Sequence, residues 1–581
     1  MNTRTLGLII VCCLTIGAII VVAPRRAMAD GDSPTLTVAG YVRNDHGEGV
    51  VGATVSLKIV SQPTGRLIGP AQSTRSDEAG AFIVRFRLMS LQAEALGQQT
   101  AQLVLDAGKS SYADSQTVIP AASLARENSH YFAEADIVLH HKPTIAVFLS
   151  AIILIGVYVL ISLERLHRTV AALLGAAAIM IITHVLGFFN PAFIILPFER
   201  AVTYIDFNVI FLLMAMMVLV TITARTGVFQ WLAVAAYRQA GGSTWRLAVL
   251  LTLATAALSA FLDNVTTMLL IVPITLEIAL ILRLNAMALL LPEVFASNIG
   301  GAATLIGDPP NLLIASFASL DFGAFLIYMT PAAIITMIGL LIMTRVLYPG
   351  QYPQTSSEET QALLHRLERE FVIKDARTLR RALIAFAGVV FFFLLSSLFK
   401  MEASVPALMG MAILLVWTQA DIVQELESVE WPSLIFFIAL FIVIGAANET
   451  GVIQVLADGV GAVAHGNLTI AVILVIWVSA LASMLVDNIP ITATMLPVVA
   501  YLTQAIPGAT NNVLYWALAF GACFGGNGTI VGASANIITV GLAERAGFVI
   551  TFGQFTRKGL PVTVMSLVVA TIWVLLIAWI T

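Results

Sequence analysis

Charged side chains are scarce in this chain. Asp, Glu, Lys and Arg supply only 11% of its 581 residues, where a soluble domain carries about 25%. An ordinary water-soluble globule is thereby excluded. Cysteine is scarcer still: Cys12 and Cys13 lie near the N-terminus and Cys523 in an apolar stretch. Three such residues exclude a disulfide framework or a cysteine-built zinc site. A strong net charge is also missing. The balance of −4 gives no ground for nucleic acid or an acidic partner. No Lys or Arg occurs between Met401 and Ala543. Phosphate-binding loops, zinc motifs and hydrolase nucleophile elbows are absent. Neither an enzyme activity nor a cofactor, beyond Na⁺ or H⁺ as a coupling ion, is therefore expected.

What is abundant is apolar sequence, 59% of the residues, with a mean hydropathy of +0.93. Arg4, the apolar run Leu6 to Ala23 and the small-residue pattern Ala27-Met28-Ala29 read as a signal peptide over 1–29, or as an anchor. Either reading starts residue 31 outside the cytoplasm. Residues 30–142 contain no spanning segment. They alternate in short stretches, Thr35 to Val38, Thr54 to Val60 and Phe82 to Phe86, with turn clusters at Asn44 to Gly47 and Asp77 to Gly80. That pattern predicts a small antiparallel sandwich. The run from Gly40-Tyr41-Val42 through Gly52-Ala53-Thr54-Val55 to Gly80-Ala81-Phe82 resembles the carboxypeptidase regulatory-like β domain. An accessory role is the plainer expectation for it, ahead of ligand binding.

From Pro143 onward, apolar segments long enough to cross a bilayer follow one another. A polar break at 350–381 separates two stretches, 143–349 and 382–581, that match each other. Thr226-Gly227-Val228 and Thr450-Gly451-Val452 lie 224 residues apart, as do Asp263-Asn264 and Asp487-Asn488. Gly300-Gly301 through Asn311 matches Gly525-Gly526 through Asn536 at a spacing of 225. The basic residues Arg165, Arg168, Arg345, Arg380, Arg381, Arg557 and Lys558 place the linker inside. The first half then runs out to in and the second in to out. The expected fold is an all-α polytopic membrane protein of two inverted repeats, with re-entrant hairpins, broken helices and an extracytoplasmic β-sandwich.

Asp263 and Asp487 each sit within a long apolar stretch. An unpaired carboxylate at bilayer depth costs at least a few kcal/mol, about 2.5 or more, so it should face a polar cavity. The plainer alternative is a charge that reaches interfacial water at a segment end, which the repeat argues against. Around Asp263-Asn264 a re-entrant hairpin is expected. Around Asn298 to Gly301 the helix is expected to unwind, and Pro309-Pro310 to stop any helix before Asn311. Freed carbonyls with Asp263, Asn264 and Thr266 would suit Na⁺, and helix N-termini an anion. His184 reads as a hydrogen-bonded or interfacial residue. Asp308 is a substrate ligand or a helix cap.

At these residues the chain resembles a known family. Leu163-Glu164-Arg165-Leu166-His167-Arg168-Thr169, Tyr204-Ile205-Asp206-Phe207-Asn208, Leu262-Asp263-Asn264-Val265-Thr266-Thr267 and Gly307-Asp308-Pro309-Pro310-Asn311 are similar to the P-type permeases. Those are relatives of the pink-eyed dilution protein in the arsenite permease/NhaD sodium–proton antiporter group of the citrate transporter-like ion transporter superfamily. The resemblance implies two hairpin tips facing broken helices across a central site. The substrate and ion ligands expected there are Asp263, Asn264, Thr266, Thr267, Asn298, Gly300, Gly301, Thr304, Asp308 and Asn311. From the second half come Asp487, Asn488, Thr492, Gly525, Gly526, Asn527, Thr529 and Asn536, with Na⁺ assigned to Asp263, Asn264, Asp487 and Asn488. The superfamily's dicarboxylate carriers use a Ser-Asn-Thr tip, so Asp-Asn here points away from dicarboxylates and toward cation or proton coupling. The expected function is secondary transport of a small anion or oxyanion coupled to Na⁺ or H⁺ at the cell membrane. Na⁺/H⁺ exchange, a channel and a receptor sensing through the β domain are the alternatives. The expected partners are membrane lipid and a small inorganic or carboxylate ion, and a homodimer is left open.

Overall fold

The computed structural model describes residues 34–580 apart from 354–371 and the short stretches 45–46, 48, 51, 63, 78, 110–111, 128–129, 141–143, 164, 465 and 510–511. The expected leader and most of the expected linker lie outside the described residues. Along the sequence the chain divides into two compact units, Met1–Lys142 and Pro143–Thr581.

The strands of the first unit are β1 (Thr35–Asn44), β2 (Thr54–Ser61), β3 (Gln72–Arg75), β4 (Ala81–Arg87), β5 (Ala101–Gly108), β6 (Ser115–Pro120), β7 (Ala125–Glu127), β8 (His130–Glu134) and β9 (Ile137–Leu139). A short helix, α1 (Ser90–Gly97), follows β4. Two sheets form, β4-β1-β8-β7 with β9 also on β1, and β3-β2-β5-β6. Period-two burial explains them: Leu36 and Val38 on β1 and Val55, Leu57 and Ile59 on β2 all enter one shared core. The expected turn at Asp77 forms, with Asp77 Oδ1 accepting from the amides of Ala79 (3.0 Å) and Ala81 (2.8 Å). Gly80 supplies the positive φ of +76° there. The expectation of a purely antiparallel sandwich is corrected, because β1 pairs parallel with β8 and β9. Parallel neighbours need a long crossover, and most of the domain lies between β1 and β8.

The second unit is helical. Its first half contains α2 (Ile145–Ser162), α3 (Arg168–Ile181), α4 (Phe207–Arg225), α5 (Val228–Ala240), α6 (Thr244–Ser259) and α7 (Asn264–Ile281), then α8 (Ala286–Gly301), α9 (Pro309–Phe317), α10 (Phe322–Tyr328) and α11 (Thr330–Leu347). The second half contains α12 (Ala376–Leu394), α13 (Ser404–Thr418), α14 (Trp431–Thr450), α15 (Val452–Ala464) and α16 (Leu468–Leu485). It continues with α17 (Asn488–Ala505), α18 (Val513–Gly525), α19 (Ser534–Arg545) and α20 (Phe552–Ile580). Among the described residues, eight helices are long and apolar enough to cross a membrane, or nine if α9 and α10, bent by 116°, count as one broken span. The order from α4 to α9 recurs from α14 to α19.

Each half is stitched in the same way. α6 packs on α8, and α16 on α18. A Cβ on Gly300 would fall 2.3 Å from Ala256 O, and one on Gly525 2.6 Å from Ala480 O. Ser259 Oγ donates to Ser297 O, and Ser483 Oγ to Ala522 O, both at 2.8 Å. Thr304 donates to Ala260 O, and Thr529 to Met484 O. Glycine is needed at 300 and 525 for backbone-to-backbone approach, a common use of small residues between membrane helices. The expected unwinding at Asn298 to Gly301 is therefore corrected. α8 stays helical through Gly301 and the break spans 302–308. Pro309 and Pro310 open α9 at its first turn, where a missing N–H costs nothing.

Alanine at Gly300 or Gly525 is expected to cost about 1–3 kcal/mol through overpacking, read as a lower unfolding temperature of the purified protein in detergent. Gly388 has nothing within 4 Å of a built Cβ, so Gly388→Ala should leave that temperature unchanged or slightly raised.

Candidate functional site

The two hairpin tips are the turns between α6 and α7 and between α16 and α17. Each ends in an Asp at the N-cap followed by an Asn in the first helical position. That order sets the side chains at the end of a helix whose first amides lack intrahelical partners. The two breaks, 302–308 and 529–533, face these tips through the stitches described above.

Asp308 is where the tips converge. It is fully buried at the N-cap of α9, yet its side chain does not cap that helix. Instead Asn488 Nδ2 donates to its Oδ1 and Oδ2 at 3.2 and 3.1 Å, and Asn264 Nδ2 donates to Oδ1 at 3.3 Å. Asn264 Nδ2 also reaches Asn298 Oδ1 at 3.2 Å. Asn298 Nδ2 donates onward to Asn527 Oδ1 (2.9 Å) and Asn536 Oδ1 (3.1 Å). One polar chain thus runs from the tip of one half to the break of the other. Amide donors on a buried carboxylate favour its charged form and offset part of its desolvation. Asn527 Nδ2, buried beside this chain, has no partner.

The two tip acids are held differently, as their differing neighbours, Val265-Thr266 and Ile489-Pro490, lead one to expect. Asp263 caps α7 through Thr266, accepting from its amide at 3.0 Å and from its hydroxyl. The counterpart of Thr266 is Pro490, which has no N–H to give. Asp487 makes no cap. Its Oδ2 accepts from Arg168 Nη1 at 2.9 Å and from Ser534 Oγ at 2.7 Å, while Oδ1 is buried without a partner. Arg168 Nη2 also donates to Ser433 Oγ at 2.8 Å, and its guanidinium lies 5.3 Å from the Phe436 ring centroid. Arg168, read from sequence as a marker of the cytoplasmic end, is held in the site by its side chain. A basic residue at the start of an apolar segment looks interfacial, and nothing local distinguishes the two cases.

Several expected ligands turn out to hold the scaffold. Asn311 Nδ2 donates to the carbonyls of Gly301, Ala302 and Thr304, the last at 2.8 Å. Asn536 Nδ2 serves Gly526 and Thr529 in the same way, at 2.7 and 2.8 Å. The carbonyls freed by the breaks, expected to face an ion, are thus taken by side chains. Thr267 and Thr492 bond back into their own helices, to Asp263 O and Asn488 O. Gly301 and Gly526 approach the carbonyls of Gly307 and Gly532 across each break. His184 Nδ1 sits 2.9 Å from Met180 O in a π-helical turn.

A central cavity of about 30 Å³, roughly one water, is lined by Asp263, Asn264, Asp308, Asn488, Arg168 and Glu430. Three of these are acids and one is a base. A larger cavity of about 740 Å³ adjoins it at the C-terminal end of α4, sharing Met217 and Glu430 and including Thr266, Arg225 and Lys374. At the other end of α4, a cavity of about 380 Å³ is lined by Asn208, Lys400 and Glu402, with Leu212, Leu305 and Leu312 as its apolar wall. Sequence reasoning also missed Glu293 on α8. It is 1% exposed, with Oε1 bonded to Thr275 Oγ1 at 3.0 Å and Oε2 without a partner.

Asn311→Ala leaves three carbonyls without their side-chain donor, at about 1–3 kcal/mol for a buried group so orphaned. Thermal unfolding in detergent should show that loss, and Asn536→Ala should repeat it in the other half.

The helical part of the chain is similar to known proteins. A family model described as "Citrate transporter" matches residues 158–521. An uncharacterized transporter of Mycobacterium tuberculosis is 40% identical over 422 residues, covering 72% of this chain and 96% of its own. The 46 kDa membrane protein of Mycobacterium leprae matches over the same shares at 40%. The P protein of Homo sapiens is 35% identical over 505 residues, 74% of this chain and 60% of its own length. A crystal structure of the Alcanivorax borkumensis YdaH transporter aligns at 14% identity over 70% of this chain and 98% of its own, with a TM-score of 0.45.

Proposed function

We propose, for a chain that belongs to the citrate transporter family, that the two hairpin tips and two broken helices form the site of a secondary active transporter, which moves a small anion or oxyanion coupled to Na⁺ or H⁺ by alternating access. The family and the run of apolar helices make it a multi-pass membrane transporter. The coupling reading rests on one observation: a fully buried carboxylate, Asp308, is gripped by asparagines from both hairpin tips.

A site built this way responds to charge. The two amides turn N–H groups toward Asp308. Rotating an amide presents its carbonyl oxygen instead, the hard donor that Na⁺ prefers. Binding Na⁺, or a proton on Asp308, removes the charge that draws both tips inward. Differential affinity of this kind is what shifts a two-state equilibrium. The larger cavity that adjoins the site supports a state open to one face.

A second reading, Na⁺/H⁺ exchange, is favoured by the excess of acids over bases in the central cavity. Proteoliposome flux separates the two readings. The first expects anion movement that follows an imposed Na⁺ or H⁺ gradient, and the second expects Na⁺ and H⁺ flux with no anion requirement. A receptor would carry no flux at all.

Asp308→Asn keeps the size of the side chain and removes its charge, so transport should lose its dependence on the Na⁺ and H⁺ gradients. Asp263→Asn should have a smaller effect, because its charge is already engaged in capping α7. Dependence on both gradients at the wild-type level in Asp308→Asn would place coupling elsewhere.

We also propose that the β domain lies outside and the 350–381 linker inside. A cysteine at Ser73 should then react with an impermeant thiol reagent from outside, and one at Lys374 only after the membrane is opened. Reaction of both from one side would remove the inverted arrangement.

A further inference from the structure

Arg168 carries the only positive charge among the residues lining the central cavity, and it does not face that cavity alone. Its Nη1 donates to Asp487 Oδ2 (2.9 Å) and to Ser534 Oγ (2.5 Å), and its Nη2 donates to Ser433 Oγ (2.8 Å). Ser534 Oγ in turn donates to the same Asp487 oxygen at 2.7 Å. The guanidinium and two hydroxyls thus form one polar fork, the arrangement that recognises planar or tetrahedral oxyanions, and two of its arms, Arg168 Nη1 and Ser534 Oγ, converge on a single oxygen of one carboxylate. The carboxylate in the fork comes from the protein itself, from the tip of a hairpin. It fits only in part: Asp487 is 6% exposed and its Oδ1 has no hydrogen-bond partner. A buried acceptor left unpaired is costly, so a ligand that satisfies both of its oxygens would compete for the fork.

We infer that Arg168, Ser433 and Ser534 are the subsite for the anionic oxygens of the transported substrate, and that Asp487 is an internal competitor which must leave for the substrate to bind. This rests on the anion-coupled reading of the same site. The surrounding acids set the order of events. Glu430, 3.8 Å from the guanidinium, and Asp263 and Asp308 in the cavity lining all repel an incoming anion. Binding of a coupling cation at Asp308 lessens that repulsion. Anion and cation therefore bind with positive linkage, and each tightens the other by the same factor. When Asp487 leaves Arg168, the second hairpin tip is released from α3, which joins substrate binding to hairpin movement.

The test uses the purified full-length protein in detergent and in proteoliposomes. The probes are citrate, as a carboxylate, and phosphate, as a tetrahedral oxyanion, each titrated with and without Na⁺. Stabilisation against heat reports binding, and flux reports transport. Asp487→Asn removes the competitor's charge and should lower the half-saturating anion concentration by about tenfold, while Arg168→Lys should raise it by about tenfold or more. Ser433→Ala and Ser534→Ala leave the ion pair and should weaken the anion less, which keeps the proposal testable if either charge variant fails to fold. The paired variant Arg168→Gln with Asp487→Asn decides between binding and structure. A merely structural ion pair is dispensable once both charges are gone, and binding would return to the wild-type level. An anion subsite stays lost.

A response to citrate alone or to phosphate alone supports the inference and identifies the head group. An unchanged half-saturating concentration in Asp487→Asn, or recovery in the paired variant, overturns it. Na⁺ and H⁺ flux with no anion binding in the wild-type protein would also overturn it while leaving cation exchange standing. Absence of every flux from the wild-type protein would instead remove the transporter mechanism on which it rests.

Discussion

Inside a bilayer, backbone that leaves a helix has no water to turn to. Each orphaned carbonyl or amide must find a partner within the protein or cost several kcal/mol, about 2–7. Both breaks meet that demand in one way. A single asparagine, Asn311 or Asn536, turns its amide back over the preceding loop and satisfies the carbonyls there. Thr304 and Thr529 tie the same loops to the hairpins. Because the irregular backbone is satisfied internally, the residues after it are free to do something else. Asp308 is the clearest case: it occupies an N-cap position and spends its carboxylate on the hairpin tips instead.

A symmetric scaffold thus carries asymmetric chemistry. The stitches recur pair by pair, from Ser259 and Ser483 to Gly300 and Gly525. The charges do not. Asp308 has Ala533 as its counterpart, and Thr266 has Pro490. The proline has the larger consequence. Lacking an N–H, it leaves Asp487 without the cap bond that Asp263 enjoys, and Asp487 turns to Arg168. Tyr158, whose hydroxyl donates to Pro490 O at 3.0 Å, adds a second tie between the first two membrane helices and that tip. Both tips share Asp308, but their own acids are engaged differently: Asp263 in its own helix cap, Asp487 in an ion pair across the halves.

Much of this was legible in the sequence. Apolar run lengths, the spacing of 224 to 225 residues and the polar interruptions within apolar runs are properties of adjacent residues, and they determine which segments are helices, which are hairpins and where the halves correspond. The β domain was legible for the same reason, since period-two alternation and a turn such as Asp77 to Gly80 are local. The acids, asparagines and glycines of the repeat could be named as candidates because polar groups are rare at that depth. Their separate roles could not. Whether Gly300 unwinds a helix or lets two backbones touch depends on Ala256, and whether Asn311 binds an ion or fills a break depends on how the loop folds over it. The pairing of Arg168 with Asp487 joins residues 319 apart. No periodicity encodes that distance, and only packing of α3 against the tip of the second hairpin decides it.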